Sequence, residues 1–247
     1  MNYYLGLVLV VVAGPLALSF DKRVAFYKDW PAVFGAVAAI VAVFGGWDVW
    51  KTASGVWSFN SAYAGDWRFL YLPIGEWLFF VCVPYACIFI LACVRGYFKD
   101  AAFKAPRALF LGLAAAFALA GALFMYKTYT GVIFIKLAAI VVLAEFLTPE
   151  SLRSRNFWIA MALTYIPFLI SNGILTGKPV VLYDDTKNLG IRVGTIPLED
   201  FFYSLSMLLL AFSLYDKLKA RLPRYRPTKT KTTKTTTGGE TEAAPHA

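Results

Sequence analysis

The stretches LPIGEWLF, Leu72 to Phe79, and IPLEDFFY, Ile196 to Tyr203, lie 124 residues apart and decide how this chain folds. Each sets a proline and one or two acids at the start of a long apolar run. Pro73 and Glu76 open the first; Pro197, Glu199 and Asp200 open the second. A helix start favours both residue types, because proline gives up an N–H that has no partner there and carboxylates complement the helix dipole. Capping explains either acid alone. It does not explain why the acids recur at matched positions in two halves.

Moving outward at the same offset, without a gap, Asp21 meets Glu145, Asp48 meets Asn172 and Thr52 meets Thr176. These polar residues fall inside or at the ends of apolar runs, where polar residues are scarce, which indicates an internal repeat. Runs long enough to cross a bilayer, about 20 residues of helix, lie at 3–20, 32–50, 74–94, 107–126, 130–147, 157–175 and 197–215. The expected fold is all-α: a polytopic membrane protein of seven transmembrane helices, arranged as two three-helix repeats joined by a linking helix. Residues 1–106 form the first repeat, 107–126 the link, 127–222 the second repeat, and 223–247 a disordered basic tail. Three is odd, so the extra helix restores direction and the repeats are parallel, related by an axis along the membrane normal. Asp48 and Asn172 then lie near the outer ends of helices two and six, on the side where Glu76, Glu199 and Asp200 begin helices three and seven. The intervening loops, GVWSFN (55–60) and GKPVVLYDD (177–185), are expected as short extended or re-entrant elements over that site.

Composition agrees. Over 247 residues, 59% are hydrophobic and only 16% charged, so the solvent of this chain is mostly hydrocarbon. Seventeen basic residues fall on the side of Lys22, Arg95, Arg153 and the tail, against six on the side of Lys51 and Arg192. The positive-inside rule therefore puts the N-terminus outside and the tail in the cytoplasm, with the chain multi-pass in the cell membrane. The net charge of +9 belongs to lipid headgroups and not to nucleic acid. The one histidine, His246, lies in the tail, which removes histidine-ligated metals and Ser-His or Cys-His catalysis from the folded part. Cys82, Cys87 and Cys93 share one helix and cannot bridge one another, so they are core filler. Most tryptophans suit an interfacial aromatic belt. Lys136, in the middle of helix five, is costly there and must face a partner or a cavity, as half of a buried ion pair or as a catalytic lysine.

The segments LPIGEWLFF, NLGIRVGTIPLEDFFY, WDVWKTASGVWSFN and NGILTG resemble the membrane-embedded lycopene cyclases, the kind found as two small subunits in some bacteria and fused in archaea and fungi. The resemblance covers about residues 1–216. It departs at Gly75, which stands where the family's Pro-x-Glu-Glu/Asp motif has its first acid. It implies an intramolecular lyase or isomerase that closes the linear ends of lycopene to ionone rings, giving gamma- or beta-carotene without redox change. Its partners would be a linear carotenoid, the lipid bilayer and other enzymes of carotenoid synthesis. Such a reaction needs an acid to protonate a terminal double bond, a base to remove a ring proton, and no water. Carboxyl groups in a desolvated site can carry the proton.

On this reading Glu199 is the proton donor, Glu76 or Asp200 the coupled carboxylate or base, and Asp48 and Asn172 orient them. Trp57, Trp77, Phe201 and Phe202 offer ring faces to a carbocation. No Gly-x-Gly-x-x-Gly fingerprint separates a strand from a helix, so no flavin or other cofactor is expected. Rival readings are a carotenoid hydratase or other prenyl-lipid enzyme, and a 3+1+3 small-solute transporter. The transporter's site would lie nearer the bilayer midplane than these helix ends.

Overall fold

The structure is a computed structural model describing residues 2–222, which form seven long helices and three two-stranded ribbons. The helices are α1 Tyr3–Leu18, α2 Phe26–Ala53, α3 Ile74–Tyr97, α4 Arg107–Leu123, α5 Thr128–Leu147, α6 Arg155–Gly177 and α7 Leu198–Arg221. Every apolar run read from the sequence is therefore helical. Five of them, α2, α3, α5, α6 and α7, are long and apolar enough to cross a membrane, while α1 and α4 are apolar but only 16 and 17 residues long. The chain is a helical membrane protein. The basic tail expected from residue 223 lies outside the described residues.

Element boundaries recur along the chain. β1 Trp57–Phe59, β2 Arg68–Phe69, β3 Leu72–Pro73 and α3 are matched 124 residues later by β4 Val181–Tyr183, β5 Arg192–Val193, β6 Ile196–Pro197 and α7. β2–β3 and β5–β6 are hairpins with the same register, Arg68 opposite Pro73 and Arg192 opposite Pro197. β1 and β4 pair with each other, antiparallel, with Ser58 opposite Leu182. Those two residues are themselves 124 apart, so the ribbon is symmetric about its own centre.

Packing crosses the midpoint of the chain. α1 lies on α3 and α5 on α7, whereas α2 packs on α7 and α6 on α3. The main apolar core fills the space between these helices, with Phe44, Phe80, Ile88, Leu137, Phe157 and Phe212 fully buried. α4 lies against α5 through Gly121 and Gly131. A Cβ on Gly121 would come within 2.8 Å of the Gly131 carbonyl oxygen, so only glycine permits this approach. At the end away from the ribbons, Arg95 forks onto Asp216 at 2.5 and 2.8 Å, and Arg153 onto Glu145 at 3.0 and 2.9 Å.

Both second helices are irregular at one level. α2 has a π-helical turn at Val41–Gly45, and α6 has Pro167 inside it, 124 residues beyond the middle of that turn. Each breaks the regular backbone ladder and bends or re-aims the helical turn beyond it. In α2 that turn carries Asp48; in α6 it carries Asn172.

Candidate active site

Beneath the β1–β4 ribbon, the first turns of α3 and α7 face the last turns of α2 and α6 around a cavity of about 320 Å³. Three carboxylates reach it: Asp48 from α2, Glu76 from α3 and Asp200 from α7. They are 4%, 7% and 5% exposed, so none has bulk water to solvate it. Trp57, Phe59 and Tyr183 of the ribbon also line the cavity. Away from the acids its wall is apolar, with Val11 and Pro15 of α1, Phe79 and Val83 of α3, and Pro167 and Phe168 of α6.

The three acids are held in different ways. Asp200 accepts from the Tyr129 hydroxyl at 2.7 Å on Oδ1, and from Asn172 Nδ2 at 2.9 Å and the Tyr183 hydroxyl at 2.8 Å on Oδ2. Three donors suit an ionised carboxylate, which can only accept. Burial, reinforced by the Asp200 charge, raises the Tyr183 phenol well above its ordinary 10.0, so it stays a donor throughout the working pH range. Glu76 accepts one bond, from the Tyr4 hydroxyl at 2.5 Å. Asp48 Oδ2 is buried with no partner among the described residues. A buried carboxyl oxygen without a donor is suited to carrying a proton.

The tyrosines are positioned by their helix starts. Asn2 caps α1, accepting from Leu5 N at 3.1 Å, while its amide donates to the Ala64 carbonyl at 2.8 Å. That fixes Tyr4 in the first turn. Tyr129 is pinned through its own N–H, which donates to the Lys187 carbonyl at 2.8 Å.

Of the residues expected from sequence, Glu76, Asp200, Asp48, Asn172 and Trp57 share this cavity. Asn172 orients Asp200, whereas Asp48 lines the cavity itself instead of orienting another acid. Glu199 does not line it. Successive helical residues point about 100° apart, so with Asp200 aimed inward Glu199 turns toward α5. There its Oε1 accepts from Thr130 Oγ1 at 2.5 Å and from Leu189 N at 2.8 Å, while its Oε2, like Asp48 Oδ2, is buried without a partner among the described residues. What separates Glu199 from the other acids is its place outside the cavity.

The aromatics divide in the same way. Trp77 lies outside the cavity, donating to the Phe69 carbonyl at 3.0 Å; Phe201 packs on Tyr165 and Phe168, and Phe202 on Phe117 and Phe134.

Gly75 also has a cause. A Cβ there would fall 2.8 Å from the Tyr4 ring, and the partner that Thr130 gives Glu199 has no counterpart at Leu5, one residue beyond Tyr4. The sequence reading missed Tyr4, Tyr129 and Tyr183. Tyr4 and Tyr129 are 125 residues apart, one step out of register with the gapless alignment, because the first half has one more residue between its first two helices.

An apolar cavity between membrane-length helices, with carboxyl groups gathered at one end, defines a membrane protein that can hold an apolar ligand against acid–base groups. The family model described as lycopene cyclase matches residues 1–94 and 126–218, and the chain belongs to the lycopene cyclase family. It is accordingly a membrane enzyme of cyclase type in carotenoid biosynthesis, with a carotenoid substrate. No curated protein and no solved structure matches the chain.

Proposed function

We propose that this chain cyclises the linear ends of lycopene to ionone rings by acid–base chemistry, yielding gamma- and beta-carotene. The observation that carries the reading is the placing of Asp48, Glu76 and Asp200 together in one apolar cavity. A proton held on the Glu76–Asp48 side adds to the terminal double bond and leaves a tertiary cation. The neighbouring double bond attacks it, closing the ring and moving the charge into the ring. Asp200, fixed by three donors, removes a ring proton, so one proton enters and one leaves with no change in oxidation state. Trp57, Phe59 and Tyr203 present ring faces around the cation, and rings stabilise it without acting as nucleophiles. Glu199 ties α7 to α5 and the 188–190 loop, and so serves as a positioning residue.

The same reading takes the chain as two parallel three-helix halves, 1–106 and 127–222, joined by the link 107–126 that holds α4, with the N-terminus outside the cell membrane. It is supported by the 124-residue recurrence of elements, the symmetric β1–β4 pairing and the family match on either side of α4. The cross-packing of α2 on α7 and of α6 on α3 makes the site common to both halves.

The test is expression in cells that accumulate lycopene, followed by purified protein in liposomes without flavin or nicotinamide. Cyclic carotenes should form in both, and Asp200→Asn should lower turnover by about two to four orders of magnitude, the usual contribution of a general base. An absolute requirement for reduced flavin, or a fully active Asp200→Asn, would sink the mechanism.

A further inference from the structure

Lys136 lies in the middle of α5 with its Nζ 3.4 Å from the ring centre of Phe44, 4.3 Å from that of Trp47 and 5.2 Å from that of Tyr203. Nζ is buried and has no hydrogen-bond partner among the described residues. A charge at that depth is costly, and the attraction of three rings offsets only part of the cost. Among the described residues Lys136 forms no ion pair, and it does not line the cavity, so neither a salt bridge nor a reacting group accounts for its placement.

The other half of the chain shows what Lys136 displaces. Tyr4 and Tyr129 hold equivalent acids, which sets an offset of 125 between α1 and α5; the remaining elements repeat at 124. On this register Lys136 corresponds to Val11 and Tyr203 to Phe79. Phe44 corresponds to Phe168, and Trp47 to Ser171. Val11, Phe79, Phe168 and Ser171 all line the cavity; of the Lys136 group only Tyr203 does. The cavity accordingly leaves the carboxylates along one side. α1 and α6 wall it over several turns, whereas α5 contributes only Tyr129 and α2 only Asp48.

We propose that the α2–α5 side is a second crevice for a linear polyene, equivalent to the α1–α6 one and closed by Lys136 and Trp47. The proposal rests on the cyclase reading of the cavity and adds a route for the substrate chain. The two larger side chains fill the volume that Val11 and Ser171 leave free on the open side. A linear carotenoid then leaves the acids only between α1 and α6, and its two ends are cyclised in separate binding events through one passage.

The experiment is photolabelling of the full chain in liposomes with a linear carotenoid carrying a diazirine near mid-chain, with labelled residues mapped by mass spectrometry. Wild type should be labelled on α1 and α6, around Val11 and Phe168. The variant K136V/W47S, which gives the closed side the small residues of the open one, should add labels on α2 and α5 around Phe44. K136M, which keeps the length of the side chain, should label as wild type does. Labels confined to α1 and α6 in a K136V/W47S protein that melts like wild type would overturn the proposal. If that variant fails to fold, V11K decides. A lysine in the open crevice should lower labelling there at least about tenfold, and unchanged labelling would be contrary. Labelling records seating whether or not the chain is cyclised, so an inactive but labelled wild type would count against the proposed reaction and not against the crevice.

Discussion

Glu76 and Asp200 begin equivalent helices 124 residues apart, yet one accepts a single hydrogen bond and the other three. Around Asp200 the ribbon supplies Tyr183 and α6 supplies Asn172. Around Glu76 the matching positions are Phe59, which has no hydroxyl, and Asp48, which has no proton to give when ionised. Two carboxyl groups reach one cavity from the first turns of matched helices, and in the proposed mechanism their unlike neighbours suit one to hold a proton and the other to take one. An enzyme that must both donate and accept needs that inequality, and two identical halves would not supply it.

The comparison is broken most completely by separating the halves. Because α2 rests on α7 and α6 on α3, fragments 1–106 and 127–247 should each be inactive alone and should restore cyclisation when expressed together. Activity from either fragment by itself would show that one half holds a whole site.

A smaller effect comes from the tyrosines. Among the described residues, Tyr4→Phe removes the only donor on Glu76, and Tyr129→Phe removes one of three on Asp200. With Glu76 carrying the proton, the Tyr4 bond joins two neutral groups and contributes about 0.5–1.5 kcal/mol, whereas the Tyr129 bond reaches an ionised Asp200 and contributes about 1.5–3 kcal/mol. Turnover should therefore fall by up to roughly tenfold in Tyr4→Phe and roughly ten- to a hundredfold in Tyr129→Phe, with both proteins inserting normally. Equal losses, measured as initial rates in liposomes, would mean that the two acids do not differ in charge.

The smallest effect sharpens the account of Gly75. Gly75→Ala pushes a methyl against the Tyr4 ring at 2.8 Å, and overpacking of this kind costs about 1–3 kcal/mol. Its melting temperature in detergent should fall, and Tyr4→Phe should not restore it, because the atoms that the methyl meets, Cβ, Cγ and Cδ1, are common to tyrosine and phenylalanine. A Gly75→Ala protein as stable as wild type would mean that the Tyr4 ring is free to move aside.

The seven helices were legible because apolar length and proline-led acids are local signals, and each run read from the sequence is a helix. The meeting of Asp48, Glu76 and Asp200 was legible for a different reason. Their spacing repeats, 48 to 76 and 172 to 200, and the matched helix ends line one cavity. Which of two adjacent acids points inward was not legible, because a helix turn of about 100° separates Glu199 from Asp200 and the deciding contacts, Thr130 and Leu189, come from other elements. The tyrosines were hidden by the one-residue difference between the halves. Trp77, Phe201 and Phe202 were drawn toward the site by nearness in sequence to the acids, and the structure spends them on packing.

The most direct test of the account sets Glu76→Gln beside Glu199→Gln. Both substitutions keep the shape of the side chain and remove the acidic proton, and both acids occupy the first turns of equivalent helices, but only Glu76 lines the cavity. Lycopene turnover is measured with each purified variant in liposomes at matched insertion. Glu76→Gln should lose about two to four orders of magnitude. Glu199→Gln should keep more than about a tenth of the wild-type rate, a barrier change below about 1.4 kcal/mol, with a small loss of thermal stability. The reverse pattern, a nearly inactive Glu199→Gln beside a Glu76→Gln of ordinary rate, would contradict the assignment of the chemistry to the carboxylates that line the cavity.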